Sequence, residues 1–209
     1  STDPQVPYQH VIHTKLTSDN SFRIGKNRLS VVLGLQRNQR KEFGDPSDPG
    51  LAELFFDLRT LSYNTAYHLN DRNGWSTSFG LNGMVQTNDN KGEEVLIPEY
   101  RLFDIGTYVY VQKTIGKSSV SGGVRYDNRL LRSNELYEGS ELKFSGFEKN
   151  YSNLSASAGI SYSASDQMVF KLNLAQGFRA PSIPELSSNG THEGTNRFEY
   201  GETNLRSER

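Results

Sequence analysis

The 209-residue sequence contains no cysteine. That absence excludes disulfide frameworks, thiolate metal sites and cysteine nucleophiles. The net charge of −1 gives no electrostatic basis for nucleic-acid binding. No stretch approaches the roughly 18 consecutive apolar residues of a transmembrane helix, and the opening residues, Ser1 to Pro4, lack the basic and apolar stretches of a signal peptide. A membrane setting stays open, because a transmembrane strand needs only about ten residues of alternating polarity.

Hydrophobic residues are also scarce, at 34% of the chain. Disorder is the usual interpretation of so low a value, but disordered chains are poor in aromatic residues. This sequence has 11 Phe, 11 Tyr and one Trp. A low overall hydrophobic content combined with many aromatic residues favours a β-sheet that has one face in contact with water.

Helical periodicity is almost absent, and segments that alternate between apolar and polar residues dominate the sequence. We therefore predict an all-β fold with about eight strands. The predicted strands are Tyr8–Thr17, Arg28–Arg37, Leu54–Leu69, Trp75–Gln86, Arg101–Thr114, Ser119–Asn128, Tyr151–Ser163 and Gln167–Phe178. Alternation is clean in the fourth and seventh of these, whereas both faces of the fifth carry Tyr, Val or Ile.

The connections between the predicted strands alternate in length. Short turns follow the strands that end at Leu69, Thr114 and Ser163. The connection over residues 18–27 is intermediate and belongs with the short turns by parity. The long loops are residues 38–53, 87–100, 129–150 and everything after Arg179. This alternation predicts an antiparallel up-and-down meander with its short turns at one end and its long loops at the other.

Two settings fit such a meander, because alternation alone does not say which face meets water. A soluble antiparallel β-domain would bury the apolar face. A membrane barrel would turn it to lipid, where a basic residue at the midplane costs roughly 2–4 kcal/mol. In a barrel, the polar residues of the sixth and eighth strands must therefore face the lumen: Arg125, Asp127, Lys171 and Asn173. Aromatic girdles at the edges of the lipid band would suit Trp75, Tyr63 and Tyr67.

The order of several motifs carries a family resemblance. Gly177-Phe178-Arg179-Ala180-Pro181, followed by Glu185-Leu186 and then Gly201, Leu205 and Glu208, resembles the β-barrel of TonB-dependent outer-membrane receptors. The strand at 34–43, the run Ser121–Asp127 and the segment Glu94–Pro98 resemble the same family in consistent order. The strand at 34–43 and the loop after Arg179 look closest to members of the iron and siderophore type.

The resemblance implies parts that these residues do not supply. Family members carry an N-terminal plug domain and a periplasmic segment that binds TonB, inside a barrel of about 22 strands. We find no plug-like segment, and residues 204–208 stand where the family commonly has a Lys-Pro-Glu ending. We therefore expect residues 1–209 to be a single region of a partial transmembrane β-barrel. Its open edges would invite pairing, so we expect the isolated fragment to self-associate.

The candidate ligand-binding residues lie in the last predicted loop. Arg179 and Glu185 carry the most recognisable motif, and Asn189, His192 and Glu193 follow at the expected extracellular mouth. Ligand contact and support of the loop remain alternatives for the first two residues. We identify no catalytic constellation, no metal site and no cofactor site. His10 and His13 lie three residues apart on one strand and so point to opposite faces.

Three functional classes follow. The resemblance implies transport: an energy-dependent outer-membrane receptor for a scarce, large nutrient, foremost an iron chelate such as a siderophore or haem. Cobalamin and glycans remain open as ligands. The alternative is a soluble β-sheet binding module or adhesin with long ligand-binding loops. An outer-membrane enzyme would need clustered Asp and His residues at one rim, and there the sequence offers only His192; we expect the protein not to be an enzyme.

Overall fold

The computed structural model describes residues 5–192 and 197–208, and its main feature is one eight-stranded antiparallel sheet. The elements are β1 Tyr8–Ile24, β2 Asn27–Phe43, β3 Leu54–His68, β4 Trp75–Asn90, β5 Tyr100–Ile115, β6 Ser118–Ser133, β7 Leu136–Glu138, β8 Glu141–Phe144, β9 Phe147–Ser165, β10 Met168–Ala175, α1 Ile183–Ser187, β11 Asn189–His192 and β12 Arg197–Tyr200. The sheet order is β1-β2-β3-β4-β5-β6-β9-β10, with β7–β8 and β11–β12 as separate hairpins. The predicted all-β meander is confirmed. In the described residues β1 and β10 have one sheet neighbour each, so the sheet is open, as in a partial barrel.

The strands join through tight turns at one end of the sheet. Gly25 and Gly116 each take a positive φ at the first position of a two-residue turn, which matches the twist of the flanking strands. The β3–β4 connection is slightly longer and closes on Asn73-Gly74, where both residues have positive φ. The predicted intermediate connection at 18–27 is therefore wrong in length, because β1 runs on to Ile24.

The strands also extend further into the predicted long loops than the alternation indicated. β2 continues to Phe43, and β4 continues to Asn90. The predicted loop at 129–150 contains the end of β6, the β7–β8 hairpin and the start of β9. The extensions of β2 and β4 are mostly polar, so periodicity missed them, but their residues pair in register with a neighbouring strand. By contrast, β10 ends at Ala175, three residues before the predicted Phe178.

Register gives the sheet two chemically different faces. The apolar face carries the cross-strand row Leu16, Leu35, Leu61, Val85, Phe103 and Leu130. The polar face carries Asn82, Asp104, Arg125, Asp127 and Arg129, together with small residues. Lys171 and Asn173 pair with Ser161 and Gly159 on that same polar face. The four predicted lumenal residues therefore share one face.

Two of the three predicted girdle aromatics lie on the apolar face at the short-turn end of the sheet. Trp75 begins β4, where the Lys113 ammonium lies 5.1 Å from its ring centroid. Tyr67 lies one residue from the end of β3 and contacts Phe79 at 5.3 Å between ring centroids. The prediction of a girdle position is wrong for Tyr63, which lies deeper in β3. There its hydroxyl donates to the Asp104 carbonyl at 3.0 Å.

A small hydrophobic core forms where the chain after β10 returns across the polar face. Leu102 and Leu131, opposite each other on β5 and β6, are buried under Ile183 and Leu186 of α1. Met84, Ile97, Tyr100 and Phe147 surround this cluster. The core lies near the long-loop end and anchors the loop segment to the sheet.

No helix within residues 5–192 and 197–208 has the length and apolar character needed to cross a bilayer.

Leu186→Ala should release the segment over residues 176–188 from the sheet. The Leu186 side chain is fully buried, and removing such a side chain costs about 2–5 kcal/mol. We expect faster cleavage within 176–188 in limited proteolysis mapped by mass spectrometry. Leu205→Ala, at a residue 39% exposed, is the control and should leave cleavage unchanged. Equal cleavage of both variants would contradict this packing.

Candidate functional site

The chain beyond β10 forms a helix cap that fixes α1. The Glu185 carboxylate accepts hydrogen bonds from the Ser182 backbone N–H at 2.8 Å and the Ser182 hydroxyl at 2.9 Å. This capping arrangement satisfies donors at the helix start that have no partner within the helix. Pro184 in the first turn suits the same local conformation. Local sequence therefore defines where α1 begins.

Arg179 joins both ends of the final segment and forms what we call the arginine clamp with Glu185 and Glu208. Its Nη1 donates to both Glu185 carboxylate oxygens at 2.9 Å. Its Nε and Nη2 donate to Glu208 at 3.0 and 2.8 Å. The backbones of Arg179 and Glu208 also pair, at 3.1 and 2.9 Å. One guanidinium thus holds two carboxylates that lie 23 residues apart in sequence.

The clamp shifts the proton affinity of its members. Hydrogen bonds from Arg179, then those from Ser182, lower the pKa of Glu185 to about 2. The bond from Arg179 also lowers the pKa of Glu208, and the two carboxylates raise that of Arg179. All three groups are solvent-exposed, so their bonds position the loop more than they add to overall stability.

Beneath the clamp lies a cavity of about 580 Å³. It is bounded on one side by the polar face of the sheet and on the other by the chain segment Phe178–Ala180, which crosses over that face. Arg125 donates to Asp127 at 2.8 Å and to the Asn82 side-chain oxygen at 2.7 Å. Arg129 makes a two-pronged bond to Asp104 at 2.8 and 2.7 Å. The cavity wall therefore consists of ion pairs with their donors held in place, a surface suited to a polar ligand.

Gly106 makes room for one of these pairs. It lies opposite Asp127 in the β5–β6 register. A Cβ atom at this position would collide with the Arg125 guanidinium and the Asp127 carboxylate. Because Gly106 has no side chain, the Arg125–Asp127 ion pair can lie flat against β5.

A second cavity, of about 400 Å³, lies among the long loops. Asn189 lines it, and its side-chain amide donates to the Lys143 carbonyl at 3.0 Å. The Asn189 backbone N–H donates to the Leu96 carbonyl at 3.0 Å. Glu93, Glu94, Glu138 and Glu141 give this cavity an acidic lining.

The structure separates the predicted site residues into two groups. Arg179 and Glu185 meet in the clamp, whereas Asn189 lines the second cavity, among the long loops. His192 ends β11, and Glu193 lies outside the described residues. Sequence reasoning did not identify Glu208 as the second carboxylate of the clamp. Its place in the family motif, after Arg179 and Glu185, could have indicated that role. The wall pairs were also missed, although alternate charges at 125, 127 and 129 on one strand indicated them.

No group of three or more His, Asp or Glu side chains in residues 5–192 and 197–208 could hold a metal ion. The clamp and the wall pairs bind and orient; they do not form a nucleophile with an adjacent base.

These features define a class of protein. An open antiparallel meander with large apolar side chains exposed on one face, a polar opposite face and long loops at one end is typical of the wall of an outer-membrane β-barrel. The family model for the TonB dependent receptor-like β-barrel matches residues 13–209. The chain therefore belongs to the TonB-dependent receptor family, a family of outer-membrane transporters that interact with TonB. A search of curated proteins found no match.

Family membership assigns the two faces. In the outer membrane the apolar face meets lipid, and the polar face lines the lumen. The short turns then lie at the periplasmic end, and the clamp and long loops lie at the extracellular end.

Val109→Arg tests this assignment in the complete receptor. Val109 is 44% exposed on the apolar face, so a cation there should cost about 2–4 kcal/mol in the bilayer. We expect a marked loss of heat-modifiable, folded receptor in outer-membrane fractions. Tyr110→Arg, the adjacent position on the lumenal face, is the control and should assemble. The reverse pattern would invert the assignment.

The clamp should release only in strong acid. Folding lowers the pKa of Glu185 from the ordinary 4.5 to about 2, so its stabilising contribution is complete above pH 4.5 and is lost as the pH falls toward 2. Hydrogen-exchange protection of residues 177–188, corrected for intrinsic rates, should drop over that window. Glu185→Gln should weaken protection at neutral pH and reduce the acid transition to the part that Glu208 contributes. An unchanged transition in this variant would assign it to another group.

Proposed function

We propose that the chain forms part of the wall of a receptor that imports a scarce, large nutrient, foremost an iron chelate such as a siderophore or haem. The supporting observation is the 580 Å³ cavity between the lumenal wall and the clamped loop. That volume is in the range of ligand pockets. The likeness of residues 34–43 to iron-type members favours iron chelates over cobalamin or glycans. In this role the chain binds a ligand and lets it pass, and it is not an enzyme.

The proposed first contacts with the ligand come from residues that follow α1 in the sequence. Asn189, His192 and Glu193 would meet the ligand at the extracellular mouth, and Arg179 and Glu185 would act mainly through the shape of the loop. The supporting observation for the latter pair is that their hydrogen bonds are already directed at each other. A TonB-contacting segment and a plug would complete the transport cycle.

Ferric siderophores, haem, cobalamin and glycans are each supplied in turn as the scarce nutrient. Deleting the gene should abolish growth on one of them. Restoring the wild-type gene should rescue growth on that nutrient. Asn189→Ala should weaken binding of the ligand to the purified receptor, and Leu205→Ala should leave it unchanged. Normal uptake of all these nutrients in the deletion strain would reject the transport proposal.

We also propose that a polypeptide limited to these residues self-associates. β1 and β10 each leave one row of backbone groups without a strand partner in the described sheet, and Leu172 and Leu174 on β10 are 61% and 68% exposed. Edge strands of this kind pair with other chains. Light scattering of the refolded polypeptide should give a mass above that of a monomer.

A further inference from the structure

A cluster of cations lies on the lipid-facing side of the sheet, near the long-loop end. We call Arg37, Lys41, Arg59 and Lys91, with Asp57 and Asp89, the outer basic cluster. Odd-numbered positions of β2 and β3 share the apolar face, so Arg37, Lys41 and Arg59 point away from the lumen. The transport site does not use these residues.

Asp57 organises the outer basic cluster. Its carboxylate is fully buried and accepts a two-pronged bond from Arg37 at 2.8 and 2.7 Å. Lys91 also donates to it, and Arg59 reaches it at 3.5 Å. Arg37, Arg59 and Lys91 nevertheless keep 47%, 53% and 40% of their side chains exposed. The cations are held in place while part of each remains open to an outside partner.

The charges of the outer basic cluster do not balance. Three cations meet the single charge of Asp57, and Arg59 shares Asp89 at 3.7 Å. Lys41 rests over the Phe55 ring at 4.7 Å from the centroid. Four cations and two carboxylates leave a surplus of two positive charges. A phosphate group carries complementary charge, and its oxygens match the fork of donors on arginine.

An apolar groove of about 460 Å³ runs directly below Arg37 and Arg59. Leu16, Leu35, Leu61 and Val85 form its floor. These four residues occupy one cross-strand row, and Arg37 and Arg59 stand in the next outward-facing row toward the loops. A lipid has the same order: a charged headgroup above an acyl chain.

The height of the cluster matches the outer edge of the membrane. Arg37 lies ten residues from the start of β2 at Asn27, and Arg59 lies nine residues from the end of β3 at His68. At about 3.3 Å per residue and a tilt near 40°, these spans rise roughly 25 Å, the height of the apolar band of a barrel. The cations therefore meet the headgroups of the outer leaflet.

We propose that the outer basic cluster and its groove bind one phosphorylated lipid of the outer leaflet. The phosphate lies against Arg37 and Arg59 with Lys41 and Lys91 beside it, and an acyl chain fills the groove over Leu35 and Leu61. Asp57 is a positioning residue that holds the cations at the right height. Such a lipid would brace β1 to β4 from outside, opposite the wall that faces the ligand.

The experiment uses the complete receptor, delipidated in detergent and analysed by native mass spectrometry with added diphosphorylated lipid A. Lys41→Gln combined with Arg59→Gln should weaken lipid binding at least about tenfold, since each basic residue near an anionic headgroup contributes a factor of about five. Arg37 is left in place because its loss would strand buried Asp57. Leu61→Trp, which fills the groove without changing charge, should also reduce binding.

Arg132→Gln is the matched control. Arg132 is exposed on the same face but pairs with Glu148 at 2.8 Å, and it lies fourteen residues from the start of β6 at Ser118, beyond the groove. This variant should bind lipid A like the wild type. Heat-modifiability of every variant confirms folding.

Several results would overturn the proposal. Wild-type binding in both the charge variant and the groove variant would do so. Equal binding of fully dephosphorylated lipid A would remove the role of the phosphate. Displacement of lipid by millimolar inorganic phosphate alone would reduce the site to an anion site. A receptor dimer that excludes lipid from the wild type would assign the groove to a second copy of the chain.

Discussion

Continuous antiparallel hydrogen bonding is the constraint on which the other features of this protein depend. Hydrocarbon offers no partner to a backbone N–H or carbonyl group, so each membrane-spanning strand must be satisfied by its neighbours. The resulting register is unbroken from β1 to β6 and on to β9. Since side chains alternate strictly along a strand, this register also decides which residues meet lipid and which meet the lumen.

Ion pairs between cationic side chains and aspartates have different consequences on the two faces. On the lumenal face Arg125 and Arg129 are each matched by an aspartate on the same or a neighbouring strand, Asp127 or Asp104. That balance suits a wall along which a ligand must pass without being trapped. On the lipid face several cations converge on Asp57, and positive charge is left over where the hydrocarbon ends.

Sequence reasoning succeeded where the pattern is set by the membrane and failed where it is set by partners distant in sequence. Alternation in 75–86 identified a strand and both its faces, because lipid and lumen demand opposite side chains. The polar ends of β2 and β4 carry no such pattern, since beyond the apolar band no lipid demands apolar side chains and backbone pairing extends the strands. Tyr63 was misplaced for a related reason: its hydroxyl reaches a carbonyl on β5, two strands away.

The motif that identifies the family is also the one whose chemistry is most fully satisfied internally. The Arg179 guanidinium donates to Glu185 and Glu208, its backbone N–H donates to the Glu208 carbonyl, and Glu185 caps α1 as well. A group committed in this way fixes the path of the chain from β10 over the core at Leu131 and Leu186. The motif thus explains the path of the loop rather than the identity of a ligand.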